Sequence, residues 1–293
     1  MKKNRGIGSK IFDICNILFM LCLMIITLYP LLYVVFASLS ETRLLLRHEG
    51  ILFGPLGFSI SSYKEVFKNK MITTGYINTL MILAIGVPLN IILTSLGAYF
   101  LSKRDIMLKK IITLFIVFTM FFSGGMIPFY LMVKNLGLYD SIWALILPVA
   151  MSTFNLIIMR TSFQSIPYTL YEAAEIDGAN DLVALFRITL PLSMPVIAVM
   201  VLYYSVSHWN TWFNAMLFIS ERSLYPLQLV LREILIQNDV NSMTSNIAQV
   251  DQPGIAESIK YAVIVTATLP ILAVYPFLQK YFVKGAMIGA VKE

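Results

Sequence analysis

The residues of this sequence that could do chemistry are concentrated in one short segment, EAAEIDGAND at residues 172–181. The segment holds four of the chain's sixteen acidic residues, namely Glu172, Glu175, Asp177 and Asp181. Ionised carboxylates accept hydrogen bonds, so they can bind the basic groups of a partner protein. Between them stand small residues that let another backbone approach closely, namely Ala173, Ala174, Gly178 and Ala179. The pattern predicts a contact surface for a partner.

Enzyme chemistry has no support in the sequence. There is no HExxH motif, no paired acid and no nucleophile constellation, and no G-x-x-x-x-G-K-[ST] phosphate loop. Cys15 and Cys22 lie deep in apolar sequence, which favours packing over a disulfide or a metal pair. We therefore predict no catalytic residue, cofactor or metal in this chain, and we expect any ATP hydrolysis to be done by another subunit.

The composition indicates that the chain is dissolved in a bilayer. It is 58% hydrophobic and 13% charged, with a mean hydropathy of +0.78. Soluble domains carry about a quarter charged residues. Basic residues outnumber acidic ones by 22 to 16, yet no basic stripe with interleaved aromatics occurs. Nucleic acid is therefore excluded as a partner.

Six apolar runs are long enough to cross a membrane, which needs about 20 residues. They cover residues 14–37, 75–101, 111–133, 141–159, 196–218 and 261–279, and none contains Asp, Glu, Lys or Arg. Ser123-Gly124-Gly125 and Pro128 predict a break in the third run. The fold class predicted is an all-α membrane protein with six transmembrane helices in one domain, 1–293. Its parts are an N-terminal helix 12–39, a core 75–283, an inner loop 161–195, an outer loop 220–258 and a tail 284–293.

The distribution of basic residues predicts the orientation. The segments before the first run, between the second and third runs, and after the sixth run together hold more Lys and Arg than the segments expected on the other side of the membrane. Basic loops stay in the cytoplasm, so both termini and the acidic segment are expected there. The first run is about twice the length of a signal-peptide core, which favours an uncleaved helix.

Local signals predict two short helices in the inner loop. Ser165 and Pro167 suit the start of the first helix, and Gly178 suits its end in the left-handed conformation. Asn180 or Asp181 can cap the second helix, which Pro191 is expected to stop.

The stretch EAAEIDGANDLVALFRITLPLSMP resembles the EAA loop of binding-protein-dependent ABC importer permeases. The matching positions are Glu172, Ala173, Ala174, Asp177, Gly178, Ala179, Phe186, Leu190, Pro191 and Pro195. GGMIPFYLMVKNLGLYDS, HWNTWFNA, LYPLQLVLREIL and FVKGAMIGAVK are similar to the carbohydrate-uptake branch, the MalG-like LplC/YtcP group.

This resemblance implies a type I (MetI-like) permease fold with a cytoplasmic coupling helix between helices 4 and 5. It implies a heterodimer with a second homologous permease and two copies of a cytosolic ATPase that binds ATP and magnesium. It also implies an extracytoplasmic solute-binding protein, a carbohydrate substrate and a bacterial cell membrane. The sequence names no particular sugar. The tail is expected either to thread between the ATPase subunits or to be disordered.

Polar residues of the fifth run recur at helical spacing, namely Ser207, Asn210, Thr211 and Asn214. On one helix they would share a face. Such a stripe either bonds to a neighbouring helix or lines a wet cavity, where amides suit sugar hydroxyls. Asn155 of the fourth run is expected to face the same space.

Two other functions stay open on the sequence alone. A permease of the same class could carry a solute other than a sugar. A secondary transporter driven by an ion gradient would also be a polytopic apolar chain, but such proteins place ionisable groups within the membrane. The six runs hold only His208, which we interpret as a helix-packing residue.

Overall fold

The structure is a computed structural model that describes residues 7–236, 258–273 and 276. Within these residues the regular elements are helices, apart from one antiparallel bridge between Ser40 and Phe58. The chain divides into two compact units, one comprising Met1–Asn69 with Ile234–Thr268 and the other Lys70–Glu233 with Leu269–Glu293. The tail 284–293 and most of the outer loop 220–258 lie outside the described residues.

The first unit begins with a long apolar helix, Ile7–Ser38 (α1). Two short helices follow, Thr42–Arg47 (α2) and Ser61–Lys68 (α3). Ala37, Leu45 and Leu52 form a small core, while most of the α1 side chains are exposed. A helix that is apolar all round and uncovered by protein is typical of a span in lipid.

The second unit contains Lys70–Ser102 (α4), Lys109–Phe121 (α5), Met126–Asn135 (α6), Trp143–Val149 (α7) and Thr153–Gln164 (α8). It continues with Thr169–Ile176 (α9), Asp181–Leu192 (α10), Met194–Trp209 (α11) and Trp212–Phe218 (α12). Two more helices, Leu227–Ile236 (α13) and Ser258–Ala273 (α14), have residues in both units.

Among the described residues, two helices are by themselves long and apolar enough to span, α4 and the Gly8–Ser38 part of α1. Three bent pairs could each add one span, α5 with α6 (110°), α7 with α8 (49°) and α10 with α11 (87°). The predicted break in the third run is confirmed, because α5 ends at Phe121 and Gly125 has a φ of +89°. In the fourth run, for which no break was predicted, the chain bends by 49° between α7 and α8, after a 3₁₀ turn that contains Pro148.

Helix α4 is the element on which the second unit is built. Its C-terminal half packs into an apolar core with Leu156, Met159 and Phe163 of α8 and with Met200 and Tyr204 of α11. At its N-terminal end, Gly75 lies against the backbone of Leu227, where a Cβ atom would be 3.1 Å from the Leu227 Cα. Polar side chains at the same end hold the loop before α13, since the Asn78 amide donates to the Ser223 carbonyl at 2.8 Å.

Candidate coupling segment and membrane cavity

The acidic segment forms a helix closed by a left-handed glycine. Helix α9 ends at Ile176, and Gly178 has a φ of +79°. The Ala179 amide donates to the Ala174 carbonyl at 2.9 Å, and the Gly178 amide donates to the Glu175 carbonyl at 3.0 Å. These two bonds make a Schellman motif, which satisfies the free carbonyls of the last turn. The predicted turn at Gly178 is confirmed.

The second helix of the segment begins as predicted but ends later. The Asn180 side chain caps α10 by accepting a 2.9 Å hydrogen bond from the Val183 amide. The helix passes through a π-helical turn, Leu185–Thr189, and continues past Pro191 to Leu192. Pro191 was predicted to stop the helix, and the helix ends one residue later, at Leu192, before the 87° bend into α11.

The resemblance implies that six of the EAA-loop positions contact the ATPase, and these lie on two sides of α9 and its turn: Glu172, Ala173, Ala174, Asp177, Gly178 and Ala179. Glu172, Ala173, Asp177 and Gly178 are exposed, and Ala179 is half-buried. Ala174 is only 8% exposed, so the prediction that it faces outward beside Ala173 is wrong. Consecutive residues of a helix point about 100° apart, and one of the two alanines must therefore face the protein.

Apolar side chains lie exposed on the same segment, two of which, Ile176 and Leu182, the sequence did not single out. Ile176 is 87% exposed, and Leu182 and Phe186 are more than half exposed. Exposed apolar side chains clustered beside small residues are typical of a protein-binding surface. Ile176 precedes the turn at Gly178, and Leu182 and Phe186 belong to the first two turns of α10.

The loop between α4 and α5 contacts the residue before α9 and the first residue of α10. Lys103 forms an ion pair with Asp181, and the Tyr168 hydroxyl donates to Asp105 at 3.1 Å. The Asp105 carboxylate raises the pKa of Tyr168, so the phenol keeps its proton at neutral pH. The Arg104 guanidinium lies 4.8 Å from the Tyr168 ring centroid. A cleft of about 450 Å³ separates the loop from α9 between these contacts.

A larger cavity of about 1030 Å³ opens between α4, α8 and α11. Asn155 and Ser207, both predicted to face one space, line it together. The rest of its wall is mainly apolar, with hydroxyl groups from Ser152 and Ser205 and the aromatic ring of Tyr203. The wall therefore offers a few hydrogen-bonding groups among apolar and aromatic surface, which is typical of sites for small organic molecules.

The other three residues of the predicted stripe do not line this cavity. Helix α11 ends at Trp209 and α12 begins at Trp212, so Asn210 and Thr211 stand in a break and Asn214 belongs to the next helix. The prediction of one continuous polar face is therefore wrong. The backbone amide and the side-chain amide of Asn210 both donate to the Val206 carbonyl, at 3.1 and 2.9 Å, and the regular ladder ends with this residue.

A buried polar network beside the cavity was not predicted. Asn90 Oδ1, on α4, accepts a 2.7 Å hydrogen bond from His208 Nε2, and the Asn90 Nδ2 group donates to the Val149 and Ala150 carbonyls at 3.0 and 2.8 Å. Tyr204 accepts from the Ser152 amide at 3.1 Å. These bonds satisfy backbone groups that the break between α7 and α8 leaves free. They stabilise a bend inside the bilayer.

Comparisons with known proteins agree with this geometry. Residues 3–287 match the family described as "Binding-protein-dependent transport system inner membrane component". The polygalacturonan/rhamnogalacturonan transport system permease protein YtcP of Bacillus subtilis (strain 168) is 43% identical, and the match covers 97% of this chain and 99% of YtcP. Protein LplC of the same organism is 44% identical, with 97% and 96% covered.

A solved structure is similar along the whole chain. It is a bacterial ABC transporter involved in the import of the acidic polysaccharide alginate, and one of its chains superposes with a TM-score of 0.88 at 32% identity. The superposition covers 96% of this chain and 100% of that one. The family match over residues 3–287 leads to one conclusion: this chain belongs to the family of binding-protein-dependent transport system inner membrane components.

Proposed function

We propose that this chain is the permease subunit of an ATP-driven, binding-protein-dependent importer of oligosaccharides or polysaccharide fragments. The observation that carries the proposal is the coupling segment, a helix closed by a Schellman motif at Gly178 with Ala173 and Ile176 exposed beside it. A rigid, capped helix with an uncovered apolar and acidic surface can transmit a displacement from a partner that binds it.

The partners proposed are those the family implies. The chain has no phosphate loop, so hydrolysis of ATP with its magnesium falls to two copies of a cytosolic ATPase. One ATPase subunit binds the surface around Ala173, Ile176 and Leu182. A second, homologous permease completes the membrane pathway, and an extracytoplasmic binding protein delivers the solute.

The topology proposed has six spans in a single permease domain of the cell membrane with both termini in the cytoplasm. Support comes from α1 and α4, from the bent helix pairs, and from the apolar helix α14 at the start of the sixth run. The basic residues Lys103, Arg104, Lys109 and Lys110 follow α4 closely, on the side proposed to be cytoplasmic.

The substrate class is proposed from the relatives and from the cavity. YtcP is named for polygalacturonan and rhamnogalacturonan, and the structural neighbour for alginate. Hydroxyl groups of Ser152 and Ser207 and the amide of Asn155 can exchange hydrogen bonds with sugar hydroxyls, and the Tyr203 ring can pack on a sugar face. A few such groups bind a sugar weakly enough to release it.

The test is ATP hydrolysis by the purified complex of this chain with its partner permease, ATPase and binding protein. A panel of oligogalacturonides, rhamnogalacturonan fragments, alginate oligosaccharides and neutral maltooligosaccharides should contain a fragment that stimulates hydrolysis. Amino acids and short peptides serve as controls of the same size. Stimulation by the controls but by none of the saccharides would overturn the carbohydrate assignment.

A further inference from the structure

The loop between α4 and α5 forms polar side-chain contacts with the coupling segment. Lys103 and Asp105, two positions apart, contact residues on opposite sides of α9. Tyr168 is the residue immediately before α9, and Asp181 is the first residue of α10. The loop therefore contacts the segment on both flanks of the helix that carries the proposed ATPase surface.

These contacts stand at the edge of a cleft of about 450 Å³ between the loop and α9, which is bounded by Lys103, Asp105, Tyr168, Glu175 and Asp181. Behind the cleft, Tyr99 and Leu101 of α4 pack in one core with Ala184 and Leu185 of α10. At the cleft itself, the loop contacts the segment through polar groups: the ion pair, the phenol–carboxylate hydrogen bond and the Arg104 guanidinium beside the Tyr168 ring.

The ion pair between Lys103 and Asp181 is held more firmly than an ordinary surface ion pair. The Lys103 side chain is 32% exposed, and its ammonium also lies 5.5 Å from the Tyr99 ring centroid. Asp181 is 66% exposed but stands at the helix N-terminus, where a carboxylate is favoured. Isolated surface pairs contribute little, whereas a pair held by an aromatic ring and a helix end has a fixed geometry.

We infer that Lys103 and Asp105 are positioning residues for coupling: through Asp181 and Tyr168 they fix the coupling segment to the cytoplasmic end of α4. This inference rests on the proposed function. Asn90 also belongs to α4, and its amide binds the carbonyls at the bend between α7 and α8. A displacement of the segment therefore reaches the cavity wall through one continuous helix. Loss of the connection leaves hydrolysis running while transport falls.

The experiment is a charge exchange in the reconstituted complex, with saccharide uptake and ATP hydrolysis measured together. Lys103→Asp and Asp181→Lys should each lower the number of saccharides moved per ATP by about fivefold, the upper range for one exposed pair. The double variant restores the pair and should recover most of that ratio. Lys110→Asp changes the same charge at an exposed residue nearby and should leave the ratio unchanged.

A second pair of variants and a wild-type control separate failure of this inference from failure of the proposed function. Asp105→Ala and Tyr168→Phe should each lower the ratio, and combining them should cost no more than either alone, because each removes the same hydrogen bond. A double exchange that recovers nothing, with wild-type complex levels in the membrane, would overturn the inference. Failure of the wild-type complex to move any saccharide with ATP would instead overturn the proposed function.

Discussion

Asn90 and His208, 118 residues apart in the chain, meet at 2.7 Å in the interior of the second unit. Both side chains are almost completely buried, and each belongs to a helix that lines the large cavity or holds its wall. Asn90 also binds two carbonyls at the bend between α7 and α8. The pair therefore links α4, α11 and the bent span, the three elements around the cavity.

Gly86 makes this pair possible, and Gly86→Ala should disrupt it. A Cβ atom there would lie 2.8 Å from His208 Nε2, so the ring must move away from Asn90. We expect a loss of about 1–3 kcal/mol in the free energy of unfolding, as for other overpacked sites. Thermal unfolding of the purified complex in detergent measures it.

Gly97→Ala is the matched control in the same helix. Its Cβ would be 3.0 Å from the terminal Leu156 Cδ1, which can rotate, and alanine favours the helix by about 0.8–1.0 kcal/mol. Equal destabilisation by both changes would contradict the role given to Gly86.

Substitutions of Gly178 test the left-handed turn of the coupling segment. Among the described residues other than its two chain neighbours, no atom lies within 4 Å of a Cβ built there, so only the positive φ opposes a side chain. Gly178→Ala should cost about 1–2 kcal/mol from left-handed strain, and Gly178→Asn less. Gly178→Val should in addition uncouple transport from hydrolysis, by steric exclusion of the partner. Normal saccharide-stimulated hydrolysis in the valine variant would argue against a partner at this turn.

Ala173 and Ala174 should respond differently to the same change. Ala174→Leu adds volume to a buried site and should lower the yield of folded chain, by about 1–3 kcal/mol of stability. Ala173→Leu adds it to an exposed site, so the chain should fold normally and lose ATPase during co-purification. Full ATPase recovery with Ala173→Leu would remove Ala173 from the proposed contact surface.

Substitutions at Ser207 and Asn214 distinguish a pathway through the cavity from one along the polar stripe predicted from the sequence. Ser207 lines the cavity, whereas Asn214 belongs to α12 beyond the helix break. Ser207→Leu should therefore reduce saccharide uptake severalfold while basal hydrolysis continues, and Asn214→Leu should leave uptake near wild type. The reverse result would return the pathway to the second half of the predicted stripe.

Features that depend on neighbouring residues could be predicted from the sequence. The glycine turn at Gly178 and the cap at Asn180 follow from backbone conformations that few residue types adopt. The break after α5 follows from Gly124, Gly125 and Pro128 in the same way. Each signal acts within a few residues and needs no knowledge of the remaining fold.

Features that depend on distant residues were missed. Nothing local distinguishes Ala174 from Ala173, because the protein that buries Ala174 comes from elsewhere in the chain. No proline or glycine at Asn210 indicates the helix break there. The Asn90–His208 hydrogen bond joins two helices that pack together only in the folded chain. Hydropathy patterns identify lipid-soluble runs, and they carry no information on which polar residues meet inside.

The central claim, that ATP hydrolysis by a partner drives a saccharide through this permease, is tested most directly by uptake into proteoliposomes. The complex is reconstituted with the binding protein and a radiolabelled oligogalacturonide, and ATP is supplied to the ATPase side. We predict uptake with ATP, none with a non-hydrolysable analogue, and no response to an imposed proton or sodium gradient. Uptake driven by either gradient without ATP would contradict the account and favour a secondary transporter.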